Sequence, residues 1–460
     1  MPLANQDFPP TATLGPGLSP AIALRRALSQ GYGLRDLRSD LVAGVIVGVI
    51  ALPLSMAFGI AAGVPPQHGL YTAIIAGALI ALLGGSRVQV SGPTAAFVVI
   101  LAPISATYGL GGLVVATMMA GMMLVLMALA RLGRLIQFVP HPVTTGFTAG
   151  IAVVIASLQL ADFAGLALPR QPDNFFARLA VVYEAIPHLR VGDLVVGLLT
   201  MATLLVWPRV SHRVPAPIVA LPIGALAAIC LHAAQPEWSV ATIADRYTYT
   251  IGDVTGHGIP GSLPVPAAPW TLPGPDGRPL EFSLDLVRSL LSSAFAIAVL
   301  GAIVSLLSAV VADGVTGGKH DPNAELFAQG VGNIVGPLFG CIAATGAVAR
   351  TATGARSGAR SPLAAVFHSI FVLLAMVLLA PTLGHLPMAS LAALLLIVAW
   401  NMADAKHFFH LIRTGPSSDV VVLLTCFALT IIFDMTVSVA AGVVLAALLF
   451  MKRMADLSTV

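Results

Sequence analysis

From Asp40 to Gly63 the chain reads DLVAGVIVGVIALPLSMAFGIAAG, with no charged residue after the first. A helix rising about 1.5 Å per residue needs about 20 such residues to cross the roughly 30 Å of hydrocarbon in a bilayer. In that medium the backbone has no water to bond, so the run must satisfy itself as a helix. The rest of the chain is of the same kind. Of 460 residues, 57% are hydrophobic and 9% charged, against about 25% charged in a typical soluble domain. This is an integral membrane protein in contact with a lipid bilayer. The formal net charge is +3, and no basic run with interleaved aromatics exists, so nucleic acid is set aside as a partner.

Cys230, Cys341 and Cys426 sit in or beside apolar segments without regular spacing. They are read as buried free thiols, not as a disulfide framework or a metal site. No metal and no cofactor are expected. The first 20 residues lack the basic and apolar regions of a signal peptide, so insertion is expected to begin at the first span.

Residues 1–40 read as a cytoplasmic tail with room for a short amphipathic helix. After the first span, others are drawn near 67–84, 111–131, 142–162, 192–210, 217–232, 284–311, 325–340, 362–381, 387–403, 418–432 and 435–452. Segments near 93–106 and 346–356 are too short to cross as full helices. The total is fourteen, and the loops support the count. With both termini inside, Arg87, Arg131, Arg134, Arg209, Arg213, Lys319, Arg356, Arg360, Lys406, Arg413, Lys452 and Arg453 all fall on inner loops.

The segments divide into halves of seven, 41–232 and 284–453, around an outer loop at 233–283, with a stub at 454–460. An odd number per half inverts the second relative to the first, which is a transporter signature. The short segments are third in each half, segments 3 and 10 of the chain. Ser91-Gly92-Pro93-Thr94-Ala95 opens the first, and Thr345-Gly346-Ala347-Val348-Ala349 opens the second. Each is expected to run extended over 86–92 or 341–346 and turn helical near the midplane. Two helix N-termini then face each other, each with free N–H groups and about half an elementary positive charge. That arrangement suits an anion. Arg350 adds a permanent cation to the second short helix, at an insertion cost of roughly 2.5–3.5 kcal/mol that usually marks function. His368, in the span 362–381, is read as a packed histidine.

ALPLSMAFGIAAGVPPQHGLY (51–71), GHGIPGSLPVPAAP (256–269) and AELFAQGVGNIVGPLFGCIAATGAVARTA (324–352) resemble, in that order, motifs of the sulfate permease (SulP) anion transporters, the group that includes prestin and pendrin. The resemblance covers the whole membrane part. It implies an all-α membrane fold of two inverted seven-segment repeats, a homodimer, and alternating access between a core of segments 1–4 and 8–11 and a gate of segments 5–7 and 12–14. It also implies a substrate site lined by Phe58, Thr94, Ala95, Gly346, Ala347, Val348, Ala349 and Arg350. The chain departs from the pattern at Leu54, where many members carry Gln, at Ala349, where they carry Ser, and at Val304, where they carry an acidic residue. That carboxylate coordinates sodium in bicarbonate-importing members, so the resemblance implies sodium independence here, with Ser308 left nearby. Family chains usually continue into a STAS domain, whereas this one ends at Val460.

The expected function is secondary active transport of a small dicarboxylate or sulfate, with a proton as coupling ion, in the cell inner membrane. A bicarbonate/chloride exchanger or an uncoupled channel is the alternative on the same scaffold. No GxxxxGK[ST] loop occurs, so a gradient must drive transport. The spans hold neither HExxH nor a Ser/His or Asp/Asp pair, so no enzyme is expected. Nucleobase permeases share the implied architecture but favour acidic residues on segments 8 and 10, where this chain has Val304 and Arg350.

Overall fold

Gly33 closes the tail and Asp36 starts the first span, its carboxylate accepting the Gly33 N–H at 3.0 Å. The computed structural model describes residues 19–136, 141–168, 172, 174–211, 214–235, 237–251 and 254–433, with 441, 444 and 445. Helix α1 (Ile22–Ser29) occupies the tail, docked where the Ala21 N–H bonds the Leu83 carbonyl at 2.8 Å. Helix α2 (Leu34–Ala61) then begins several residues before the expected boundary at 40. Its first turns are polar, because a carboxylate near a helix N-terminus is favourable whatever the hydropathy.

The second span is α3 (Pro66–Tyr71), a π-helical turn over Thr72–Ala76, and α4 (Gly77–Leu83). It closes tightly on α2: a Cβ at Gly69 would stand 1.9 Å from the Ser55 carbonyl oxygen, so only glycine fits. The chain then runs extended through β1 (Ser91–Gly92) into α5 (Ala95–Leu129). Gly109 breaks α5 at φ 68°, ψ −172°, giving the two expected segments.

There follow α6 (Gly133–Ile136), α7 (His141–Phe163), α8 (Phe175–Ala185), α9 (Val191–Val210), α10 (Ala216–Ala234) and α11 (Ile243–Arg246). A hairpin, β2 (Thr248–Ile251) and β3 (Val254–His257), leads toward α12 (Leu284–Thr316) and α13 (Pro322–Val335). β4 (Thr345–Gly346), α14 (Val348–Arg356), α15 (Leu363–Gly384), α16 (Met388–Ala403), α17 (Ala405–Thr414) and α18 (Ser417–Ile432) complete the described chain. The expected fourteenth segment, 435–452, lies outside the described residues apart from 441, 444 and 445. Among the described residues, nine helices are long and apolar enough to cross a membrane.

The sequence reading did not foresee α8, α17 or the hairpin. α8 and α17 are far shorter than a span, and α17 (AKHFFHLIRT) carries its basic residues among aromatics, so neither reads as a crossing. The core runs through the middle of the bundle, with Met56, Phe97, Leu101, Leu113, Leu124, Phe147, Ile151 and Ile155 fully buried. Leu198, Leu226, Ile229, Leu378 and Trp400 instead face outward from their helices, where a bilayer takes the place of water. Cys341 and Cys426 are buried as expected, but Cys230 is exposed. It lies on α10, one of the least buried helices.

Candidate functional site

Two residues of β1 pair with two of β4. Ser91 sits opposite Gly346, and Gly92 opposite Thr345, in an antiparallel register. Antiparallel strands leave their pairing in opposite directions, so each feeds a helix on its own side. β1 leads to Thr94, the N-cap of α5, and β4 leads to Ala347, the N-cap of α14, both with extended backbone. Two helix N-termini therefore start beside one small ladder.

The extended legs, 84–94 and 340–347, need partners for backbone that no helix satisfies. Side chains from distant parts of the chain supply them. Glu325, buried in α13, accepts the N–H groups of Gly85 (3.0 Å) and Ser86 (3.1 Å). Gln329, one turn on, donates to Ser91 Oγ at 3.0 Å and to Glu325 at 3.2 Å. Thr351 Oγ1 accepts the Val90 N–H at 3.0 Å and the Ser308 hydroxyl at 3.0 Å. On the second leg, Asn333 brackets Ala344, accepting its N–H and donating to its carbonyl, both at 2.8 Å. Thr72 accepts the Ile342 N–H at 2.9 Å from the π turn, and Ser305 accepts the Gly346 N–H at 3.1 Å.

Sequence reasoning missed these braces. Glu325, Gln329 and Asn333 recur every four residues along α13, so one helix face is polar inside an apolar bundle. That stripe was the available signal.

The expected site residues gather around the ladder. Phe58 is buried in the same packed cluster as Ala95. Thr94 is buried, and among the described residues its hydroxyl has no hydrogen-bond partner. Gly346 is in the ladder, Val348 is half-buried and Ala349 is exposed. Ala347 corrects part of the expectation: its N–H already bonds the Val90 carbonyl at 2.8 Å. The first bond inside α14 runs from the Thr351 N–H to the Ala347 carbonyl, so the free N–H groups of that helix begin at Val348.

Arg350 is buried and donates through Nη2 to the Pro93 carbonyl. Its Nη1 lies 3.0 Å from where a Cβ on Gly92 would be, and has no partner among the described residues. The guanidinium thus sits behind the Gly92–Pro93 backbone, close under the start of α5. His368 is fully buried on α15, and among the described residues its ring nitrogens have no hydrogen-bond partner. Gln89 is a further residue that the sequence reading passed over. Its side-chain amide is buried with both polar atoms unpartnered among the described residues, and it lies against Gly346.

Fold and site together define a multi-pass membrane protein with two helix N-termini beside one ladder and the buried Arg350 next to them. The model of the sulfate permease family matches residues 37–426. The chain is 42% identical over 427 residues to YvdB of Bacillus subtilis (strain 168), covering 93% of this chain and 76% of that protein. It is 30% identical over 436 residues to the bicarbonate transporter BicA of a Picosynechococcus species, covering 92% and 72%. The solved transmembrane domain of a cyanobacterium bicarbonate transporter BicA matches with a TM-score of 0.74 at 27% identity, over 90% of this chain and 98% of that one. The murine Slc26a9 anion transporter in the inward-facing state matches at 0.78 over 94% and 71%, and at 20% identity this likeness shows the fold. The chain belongs to the sulfate permease family of membrane transporters.

Proposed function

We propose that the protein is a secondary active anion transporter, working by alternating access and holding its substrate where α5 and α14 begin. The observation that carries this is the Thr94 hydroxyl, a buried donor without a partner among the described residues, at the N-cap of α5, beside the first turn of α14 and over the Arg350 charge. Free N–H groups, a spare hydroxyl and a nearby cation are what a small oxyanion needs.

Packing supports a two-body reading of fourteen segments in inverted repeats. α2, α5, α12, α13, α14 and α15 pack chiefly on one another and form the core. α7, α9, α10, α16 and α18 pack chiefly on one another and form the gate. The unit is read as a homodimer in the inner membrane, with both termini cytoplasmic.

Sulfate or a small dicarboxylate is the proposed substrate, and a proton the coupling ion. The matched family is named for sulfate, and Ala95, Ala347 and Ala349 keep the helix mouths narrow in side chain and open to something larger than chloride. Bicarbonate is the second reading, favoured by the likeness to BicA. Proteoliposome uptake of labelled sulfate, succinate, oxalate, bicarbonate and chloride, with and without an imposed pH gradient, decides between them. Stimulation of sulfate or dicarboxylate uptake by an inward proton gradient is expected. Uptake of none of the five would end the transport reading.

A further inference from the structure

His368 has no task in the reading so far. By sequence it is a packed histidine, yet its ring is fully buried with neither nitrogen hydrogen-bonded among the described residues. Burying a polar group without a partner costs free energy, so packed histidines ordinarily find one.

Its surroundings place it at the anion junction. Ala365, three residues earlier on α15, packs with Val47 of α2 and Val90 of the first extended leg. Ser369, the next residue, donates to the Ala73 carbonyl of the π turn at 2.9 Å. Ala73 in turn lies against Gly92, where a Cβ would stand 3.5 Å from Ala73 Cα and 3.0 Å from Arg350 Nη1. The face of α15 that carries His368 therefore meets the backbone beside Arg350, close enough for that charge to act on the imidazole. Arg350 Nη1 also has no partner among the described residues. A fixed cation and a titratable ring are thus buried together with hydrogen-bonding capacity unused.

The other charges around α15 are committed or distant. Those of α2 end at Asp40, which accepts from Tyr32, Arg360 and Ser361. The π turn and α4 bring no titratable group. α3 brings Tyr71 and His68, whose Nδ1 lies 2.8 Å from the Gly340 carbonyl oxygen. Asp245 and Arg246 of α11 approach the opposite end of α15, where Gly384 lies against Ala244. On α14, Arg356 is exposed, which leaves Arg350. Glu325 is occupied by the Gly85 and Ser86 N–H groups.

We infer that His368 is the proton-binding site of this protein, taking up one proton when an oxyanion fills the junction and releasing it when the anion leaves. This rests on the transport reading and supplies its coupling device. Two positive charges in one buried site repel, and an anion at the junction offsets that repulsion by attracting both. Imidazole changes charge between pH 5 and 8, so water on the open side can load it. The proton adds to a ring nitrogen, no bond in the anion changes, and both leave on the other side.

Proton movement tests this apart from anion movement. In proteoliposomes with the membrane potential clamped at zero, wild type should accumulate labelled sulfate or succinate toward about tenfold per unit of inward pH gradient, the limit for one proton per anion. His368→Gln should lose that accumulation, while exchange of labelled for unlabelled anion at equal pH persists, reduced far less, because exchange needs no net proton movement. Accumulation by His368→Gln equal to wild type overturns the proposal and leaves the transport reading standing. Wild-type uptake indifferent to the gradient overturns it too. His368→Asn is the second neutral variant. If neither folds or exchanges, the detergent-solubilised wild type decides: about one proton taken up per sulfate or succinate bound, fading at alkaline pH, supports the proposal, and binding without proton uptake overturns it. Wild type that transports neither anion removes the transport reading, and proton uptake on binding still decides for His368.

Discussion

Arg350 Nη2 donates to the carbonyl of Pro93, a residue 257 positions earlier that leads into α5. The cation of one half-helix thus holds the entry of the other. The bond also occupies a carbonyl that would otherwise present its negative end close to an incoming anion. Gly92 completes the arrangement, because a Cβ there would press on Nη1 at 3.0 Å, and its φ of +156° favours glycine besides.

Arg350→Ala is therefore expected to cut anion uptake by about 10- to 100-fold, the effect of losing roughly 1.5–3 kcal/mol of charge-assisted bonding. Size-exclusion and circular dichroism should show a folded protein. Uptake at the wild-type rate in that variant would remove Arg350 from the mechanism.

Glu325 predicts a loss of stability. Glu325→Ala strands the Gly85 and Ser86 N–H groups in a buried site, each at a cost of about 1–3 kcal/mol. Thermal unfolding in detergent should show a clear fall in Tm. Glu325→Gln, whose amide oxygen still accepts, should fall less. An unchanged Tm for the alanine variant would show that the first leg is held elsewhere.

The sequence displayed the parts whose physics is local. Long uncharged runs located the helices that are long enough to cross, and the openings Ser91–Ala95 and Thr345–Ala349 located the starts of α5 and α14. The ladder between Ser91 and Gly346 was not legible, because two-residue strands have no periodicity and their register depends on packing between distant segments. Glu325 and Asn333 were visible as residues but not as backbone partners, since that role exists only once the legs lie beside α13. The Ala347 N–H looked free for the same reason, until the Val90 carbonyl was placed against it.

Transport should not require sodium. Val304, buried on α12, stands where the family resemblance leads one to expect an acidic residue, and the Ser308 hydroxyl is already donating to Thr351. Replacing external sodium by choline should leave the initial uptake rate within about twofold, since no ion-specific contact worth more than about 0.4 kcal/mol is lost. A saturable sodium dependence would place a cation site elsewhere.

Thr94 separates binding from folding. Its hydroxyl bonds nothing among the described residues, so Thr94→Ala removes no native hydrogen bond and should leave Tm nearly unchanged. If the hydroxyl meets the anion, KM should rise by about tenfold, as loss of one bond to a charged group implies. A large fall in Tm with KM intact would make the hydroxyl structural.

Gly346 puts the whole site at risk in one substitution. A Cβ there would stand 2.2 Å from Gln89 Nε2 and 3.0 Å from Ser308 Cβ. The Gln89 amide is the far end of a flexible side chain and can yield, but Ser308 Cβ is fixed on α12. Gly346→Val therefore pushes the ladder away from α12, disturbs the bond from the Gly346 N–H to Ser305, and displaces the start of α14. Uptake should be abolished. Gly346→Ala should be milder, and adding Gln89→Ala should recover part of its loss, because the shorter side chain removes the closest contact. Normal uptake by Gly346→Val would show that the anion is not held at the junction of the two half-helices.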